Sequence, residues 1–283
     1  ELAEGLIWEV NRIHSQGAGL QKFSEVTGSY SVDDEDASLD SDSSGLDFRD
    51  KLQAGSVGVY IYDQANGELE QGPQFVNYDP GNDDSLSNIR DRFANLDHIE
   101  NAEIQNGKLH IEAEEDFEFA IGTDSSGLLA ALGINTYFQG TDGGSIAVTN
   151  QVNNNLDFIN AAHVNGAGEV NPGDNQIASQ IAALQHKEVE LTTLSEGTTI
   201  QTLQEYYNSL TANVGSDTAA AKYKQSFNKS LVDDLNKRQK AASGVNLDEE
   251  MSNLIKFQQS YQAAAKLITT AEQMMTTLMQ MKR

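Results

Sequence analysis

The strongest hydrophobic pattern in the chain lies at its carboxy end. From Leu254, the apolar positions Phe257, Tyr261, Ala264, Ile268, Ala271, Met275 and Leu278 follow at alternating steps of three and four. A seven-residue repeat of that kind runs one stripe along a helix and packs it lengthwise on another helix. Leu247 and Met251 extend the apolar positions upstream, and Leu267, Met274 and Met281 form a second stripe beside the first. A helix apolar on more than one side has to be covered on more than one side. The expected cover is a segment absent from this sequence or neighbouring subunits. Asn246 is the expected N-cap, with Asp248, Glu249 and Glu250 in the first turn, where carboxylates favour the positive end of the helix dipole.

Other stretches carry weaker periods. Ala3, Leu6, Ile7, Val10 and Ile13 share a helical face, and Gly17 supplies a stop. Between 57 and 139 the pattern shortens. Val57, Val59 and Ile61 alternate with Gly58, Tyr60 and Tyr62 as in a half-buried strand, and Asn66-Gly67 marks a hairpin turn. Leu86, Ile89 and Phe93 predict a helix over 85–96 with Ser85 or Ser87 as cap. Asn106-Gly107 joins strands 102–105 and 108–112, a further strand covers 117–121, and a short helix covers 124–132. That order predicts a small sheet with a helix on one face. Asp174 is placed to cap a helix running to Lys187. A long helix is expected from about Thr199 through Ile200, Leu203, Tyr207, Leu210 and Val214, with Gly215 as a point of interruption. It resumes through Tyr223, Phe227, Leu231 and Leu235.

These elements predict an α+β protein of several domains, in which long amphipathic, coiled-coil-like helices flank an inserted, strand-rich α+β domain. The pattern itself marks 57–139 as a compact α+β unit and 246–283 as the terminal helix. The Ser-, Asp- and Gly-rich residues 28–56 read as a solvated linker.

Charge divides the chain more sharply. The net charge of −25 lies entirely in residues 1–186, while 187–283 balance to zero. An acidic body argues against nucleic acid or an anionic membrane as partner. No apolar run approaches the roughly 18 residues of a membrane span. The absence of cysteine excludes thiol catalysis, thiolate metal sites and disulfides. The five histidines are scattered, and no HExxH, GxSxG or P-loop occurs. Asp40 to Gly45 opens like a calcium loop, but its twelfth position is Lys51 in place of a bidentate Glu. Glu112, Glu114, Glu115, Asp116 and Glu118 supply carboxylates for glycoside hydrolysis, yet they alternate with Ala113, Phe117 and Phe119 like a solvated strand face. No catalytic, cofactor-binding or metal residue is assigned, and no enzyme activity is expected.

The wording of three segments resembles a family. GVNLDEEM followed by NLIKFQQSYQAAAKLITTAEQM, the earlier GLIWEVNRIHSQGAGL, and GTD-x-x-x-I-A-V at 140–148 are similar to the bacterial flagellar axial proteins, most of all the hook-associated proteins of the hook–filament junction. The resemblance implies that roughly the first third of the family's sequence precedes residue 1. It implies a secreted, extracellular structural protein, exported unfolded by the type III apparatus and self-assembled into a ring. Its partners would be copies of itself, hook protein, a second hook-associated protein or flagellin-like subunits, and an export chaperone. The terminal helix 246–283 would pack into the inner tube, 1–28 and 140–245 would be one discontinuous, rod-like helical domain forming the next layer out, and 45–138 the inserted, outward-facing domain. Leu247, Met251, Leu254, Phe257, Tyr261, Ala264, Ile268, Ala271, Met275 and Leu278 would be the assembly interface. His14 would be a structural residue near a helix end. Two alternatives remain: another axial subunit, such as hook or rod protein, and a secreted adhesin or glycan-binding module carried by 45–138.

Overall fold

Helix α1, Leu2–His14, opens the chain in a computed structural model that describes residues 2–171, 173–193 and 197–281. Its predicted face is the one that packs: Ile7, Val10 and Ile13 are buried, with Trp8 beside them, and Ala3 and Leu6 are half-buried. After β1, Gly17–Ala18, and β2, Glu25–Thr27, the elements of the central region follow in the expected order. They are β3, Gly55–Asp63; β4, Leu69–Tyr78; α2, Leu86–Ala94; β5, Ile99–Gln105; β6, Lys108–Ala113; β7, Phe117–Asp124; and α3, Leu128–Leu132. Ser85 caps α2: its hydroxyl accepts from the Asn88 N–H, and the Asn88 side chain accepts from the Ser85 N–H. Asn106 and Gly107 both take positive φ, the geometry of a tight two-residue hairpin turn.

The strands divide into two antiparallel sheets rather than the single one expected, in the orders β4–β3–β7 and β2–β6–β5. The reason lies upstream. β2, from outside the central region, pairs with β6, and a bridge between Phe23 and Phe119 ties the same segment to β7. β3 is also more buried than a half-buried strand. Val57, Val59 and Ile61 enter the main core, while Tyr60 and Tyr62 pack on the other side with Ala18, Ala120 and Val164. The Tyr62 hydroxyl donates to the Gly168 carbonyl at 2.7 Å, so the 162–170 segment covers a face that alternation alone would leave to solvent.

The acidic stretch 28–56 is not a linker. Tyr30, Val32, Leu39, Leu46 and Phe48 are all buried in the main core with Ile7, Trp8 and the sheet residues. Its acids point outwards between these anchors, and five large apolar side chains outweigh the polar composition, since burying each contributes about 1.5–3 kcal/mol.

Beyond α3 come β8, Phe138–Gln139; β9, Ala147–Val148; α4, Asn150–Asn154; β10, Ala162–His163; and α5, Gln176–Ala183. α5 stops before the expected Lys187, because a hairpin follows: β11, Glu188–Thr193, pairs with β12, Gly197–Thr202. Val189 and Leu191 are buried there with Tyr206, against Leu2 and Leu203. Thr199 and Ile200 therefore belong to a strand, and the long helix α6 runs Leu203–Ser243, unbroken at Gly215. α7 runs Leu247–Met281. By contacts the chain forms two units, Glu1–Thr211 and Ala212–Arg283.

Candidate assembly interface

α7 starts where its sequence signals place it. The Asn246 side chain accepts from the Asp248 N–H at 3.2 Å, and the Asn246 carbonyl accepts from the Glu250 N–H at 3.0 Å. Immediately before it, the backbone turns off α6 at Gly244, whose N–H donates to the Lys240 carbonyl at 2.6 Å. A Cβ at Gly244 would collide with that carbonyl oxygen, so the approach needs glycine. α6 begins with a reciprocal cap. Thr202 Oγ1 accepts from the Glu205 N–H at 3.1 Å, and the Glu205 carboxylate accepts from the Thr202 N–H at 3.0 Å. The Thr202 N–H and the Thr202 hydroxyl, both donating to it, hold the Glu205 carboxyl below its usual range.

All ten residues of the sequence-derived interface lie on α7, and all ten are exposed. Not one described residue of the helix is buried: Phe257 is 75% exposed, Tyr261 78% and Ile268 62%. The helix also exposes Ile255 and Met279, and Val245 stands bare in the turn before it. The three-and-four stepping misses these three, although a helix apolar beyond one stripe implies them. From Tyr261 to Met281 only Lys266 and Glu272 are charged, so little like-charge repulsion opposes close packing. α6 repeats the arrangement with Tyr223, Phe227, Leu231 and Leu235 exposed. Covering even five such side chains would contribute on the order of 10 kcal/mol. Exposed apolar surface on this scale is uncommon on a folded monomer.

The amino-terminal unit holds a second organised set, around the end of α1. His14 is buried. Its Nδ1 lies 2.9 Å from the Asn135 carbonyl, and its Nε2 accepts from the Asn160 N–H at 3.0 Å. Asn160 Nδ2 donates to the His14 carbonyl and to Asn135 Oδ1, and Asn135 Nδ2 donates to the carbonyls of Ser15 and Gly17. Asn11 completes the set, accepting from the N–H groups of Tyr137 and Phe138 and donating to the Phe138 carbonyl. Burial lowers the His14 pKa to about 4, against the opposing pull of the Asn135 carbonyl. The ring is therefore neutral and structural, as the family resemblance implied. Asn11, Asn135 and Asn160 escaped the sequence reading, since nothing local distinguishes a buried asparagine from the many in this chain's loops.

The remaining candidates are tied up or open to solvent. Asp42, in the calcium-like loop, is paired with Arg49 at 2.6 Å, and Ser44 is buried, donating to the backbone. Glu112, Glu114, Glu115 and Asp116 line an open depression with Glu25 and Glu100. His98 sits 2.9 Å from Glu114 and stacks on Phe117. Among the described residues no group of three or more His, Asp or Glu is placed to hold a metal. No described helix is long and apolar enough to cross a membrane.

Residues 241–281 match the family model "Flagellar basal body rod FlgEFG protein C-terminal", so the bare helix α7 and the turn before it coincide with a flagellar rod-type segment. The similarity to individual proteins is more specific. Over 58% of its length the chain is 28% identical to flagellar hook-associated protein 1 of Escherichia coli strain K12, covering 30% of that protein. It is 35% identical over 29% of its length to flagellar hook-associated protein 1 of Salmonella typhimurium strain LT2, covering 15% of it. To flagellar hook-associated protein 1 of Bacillus subtilis strain 168 it is 32% identical over 25% of its length, covering 14%. The chain thus spans less than a third of these relatives. They bear out the resemblance to the flagellar hook-associated proteins read from the sequence.

Proposed function

We propose that the chain is a structural, self-assembling part of the bacterial flagellum that joins hook to filament. One observation carries this reading: the segment that matches the flagellar rod model is a 35-residue helix with an apolar stripe and no buried residue. At about 1.5 Å per residue it offers roughly 50 Å of continuous packing surface. Leu247, Met251, Leu254, Phe257, Tyr261, Ala264, Ile268, Ala271, Met275 and Leu278 would pack on helices of neighbouring subunits along the axis.

The same proposal gives α7 to the inner tube, 1–28 and 140–245 to the next layer out and the acidic 45–138 to the outside, with 1–28 packed directly on 45–138 rather than hinged to it. The ring of identical subunits would meet hook protein on one side and a second hook-associated protein or flagellin-like subunits on the other. Export through the type III apparatus, with its chaperone, would deliver the chain to the outside of the cell. The relatives are named as flagellar hook-associated proteins and the family model as a basal body rod segment, which supports a mechanical role.

A second reading, hook or rod subunit, is favoured by the description of the family model itself. Deleting the gene in its host separates the two. Bare hooks with monomeric flagellin shed into the medium are expected for a junction protein. Loss of the hooks would indicate a rod or hook subunit, and attached filaments of normal length would contradict any axial role.

A further inference from the structure

All five methionines of the chain lie on α7: Met251, Met274, Met275, Met279 and Met281. Each is exposed, from 61% for Met251 to 81% for Met281. The amino-terminal unit is filled without a methionine, although Met is a ready gap-filler in hydrophobic cores. Four of the five crowd into 274–281, at the end of the helix. Met279 follows Met275 by four residues and so shares its face, the apolar stripe, while Met274 and Met281 stand on the second stripe.

The second observation is the absence of cysteine. Cysteine and methionine carry the sulfur that oxidants attack, and every sulfur atom of this chain therefore stands on α7. Leucine has much the same helix propensity and would make the same stripe without that sensitivity. Oxidation turns the flexible, apolar thioether into a polar sulfoxide. A sulfoxide oxygen buried between helices without a donor opposes the packing that the stripe favours.

We propose that Met274, Met275, Met279 and Met281 form an oxidation site through which peroxides disable the packing face of α7. The consequence rests on the flagellar reading above; the chemistry does not. The thioether sulfur attacks one oxygen of hydrogen peroxide, and the S–O bond forms as the O–O bond breaks. Sulfur gives up two electrons, the peroxide takes them, and the second oxygen leaves as water with both protons. The site is open until α7 is covered, so the chain is sensitive before assembly and shielded after it.

The test adds hydrogen peroxide to the purified full chain and follows sulfoxide at each methionine by peptide mass spectrometry. The four are expected to convert within about threefold of the rate of free methionine in the same solution, since susceptibility follows exposure. Conversion more than about tenfold slower would overturn the site, whatever the gene deletion shows. The consequence is read in the deletion host, each strain compared with itself with and without sublethal peroxide during filament growth. Cells making the wild-type chain are expected to shed several-fold more flagellin under peroxide, and cells making M274L, M275L, M279L and M281L together are expected not to. M275Q with M279Q, polar as the sulfoxides are, is expected to shed flagellin without peroxide while melting as the wild type does. Equal peroxide responses in the wild type and the leucine variant, or attached filaments with the glutamine variant, would overturn the consequence. A copy carrying F257D, which blocks the same stripe without touching sulfur, separates the two failures. Attached filaments with F257D would place the fault in the flagellar reading, and shed flagellin would place it in the methionines.

Discussion

His14 and Asn160 are 146 residues apart, yet the His14 ring accepts a hydrogen bond from the Asn160 backbone N–H at 3.0 Å. Protonating Nε2 would set donor against donor at that contact, inside a site that excludes water. The folded-state pKa of about 4 lies below the ordinary 6.5, so this contribution to stability is fully present above about pH 6.5. It is lost progressively as pH falls towards 4, amounting to roughly 3 kcal/mol over the window. Urea midpoints at pH 7.5 and 4.5 check this. The wild type is expected to lose more stability between the two than H14Q, whose side chain does not titrate; equal losses would count against the assignment.

Asn135→Ala removes two donated bonds, to Ser15 and Gly17, and the acceptor used by Asn160. Leaving buried groups unpaired costs about 1–3 kcal/mol each. Thermal melting is expected to show the amino-terminal unit destabilised by several kcal/mol, and N160A to behave similarly. If the two losses simply add in the double variant, the residues do not act as one network.

Gly215 sits inside α6 with nothing within 4 Å of where a Cβ would lie. Ala there is expected to stabilise the helix by about 1 kcal/mol. Higher helicity of G215A by circular dichroism, with an unchanged unfolding midpoint for the amino-terminal unit, is the expected result.

Hydrogen exchange of the isolated chain is expected to separate two regimes. Amides of β3, buried on both faces, open only with global unfolding, whereas 247–281 has no buried residue to protect its amides. Most helical stability in proteins comes from tertiary packing of an apolar face, so amides of a helix with that face bare should exchange orders of magnitude faster. Strong protection across α7 in the isolated monomer would contradict this.

How much of this was legible in the sequence depends on range. The turns at Asn66-Gly67 and Asn106-Gly107, the Ser85 cap and the Asn246 cap rest on neighbours within a few residues, and each falls where expected. Misreadings arise where distant segments decide. Acidic composition made 28–56 a linker, but Leu39 and Leu46 are buried against elements far along the chain. Alternation made β3 half-buried, but Ala18 and Val164 arrive to cover Tyr60 and Tyr62. Ile200 fitted a helical step, yet β11 captures it as a strand. The apolar stripe of α7 was plain from its period. What would cover it cannot be read from a period within one chain.

The most direct test of the account is complementation of the gene deletion with a copy carrying Phe257→Asp. No residue of α7 is buried within this chain, so the substituted protein is expected to melt at the same temperature as the wild type. The account predicts that cells making it still carry bare hooks and shed flagellin into the medium. Full-length attached filaments on those cells would show that the exposed stripe of α7 is not the surface through which this protein assembles.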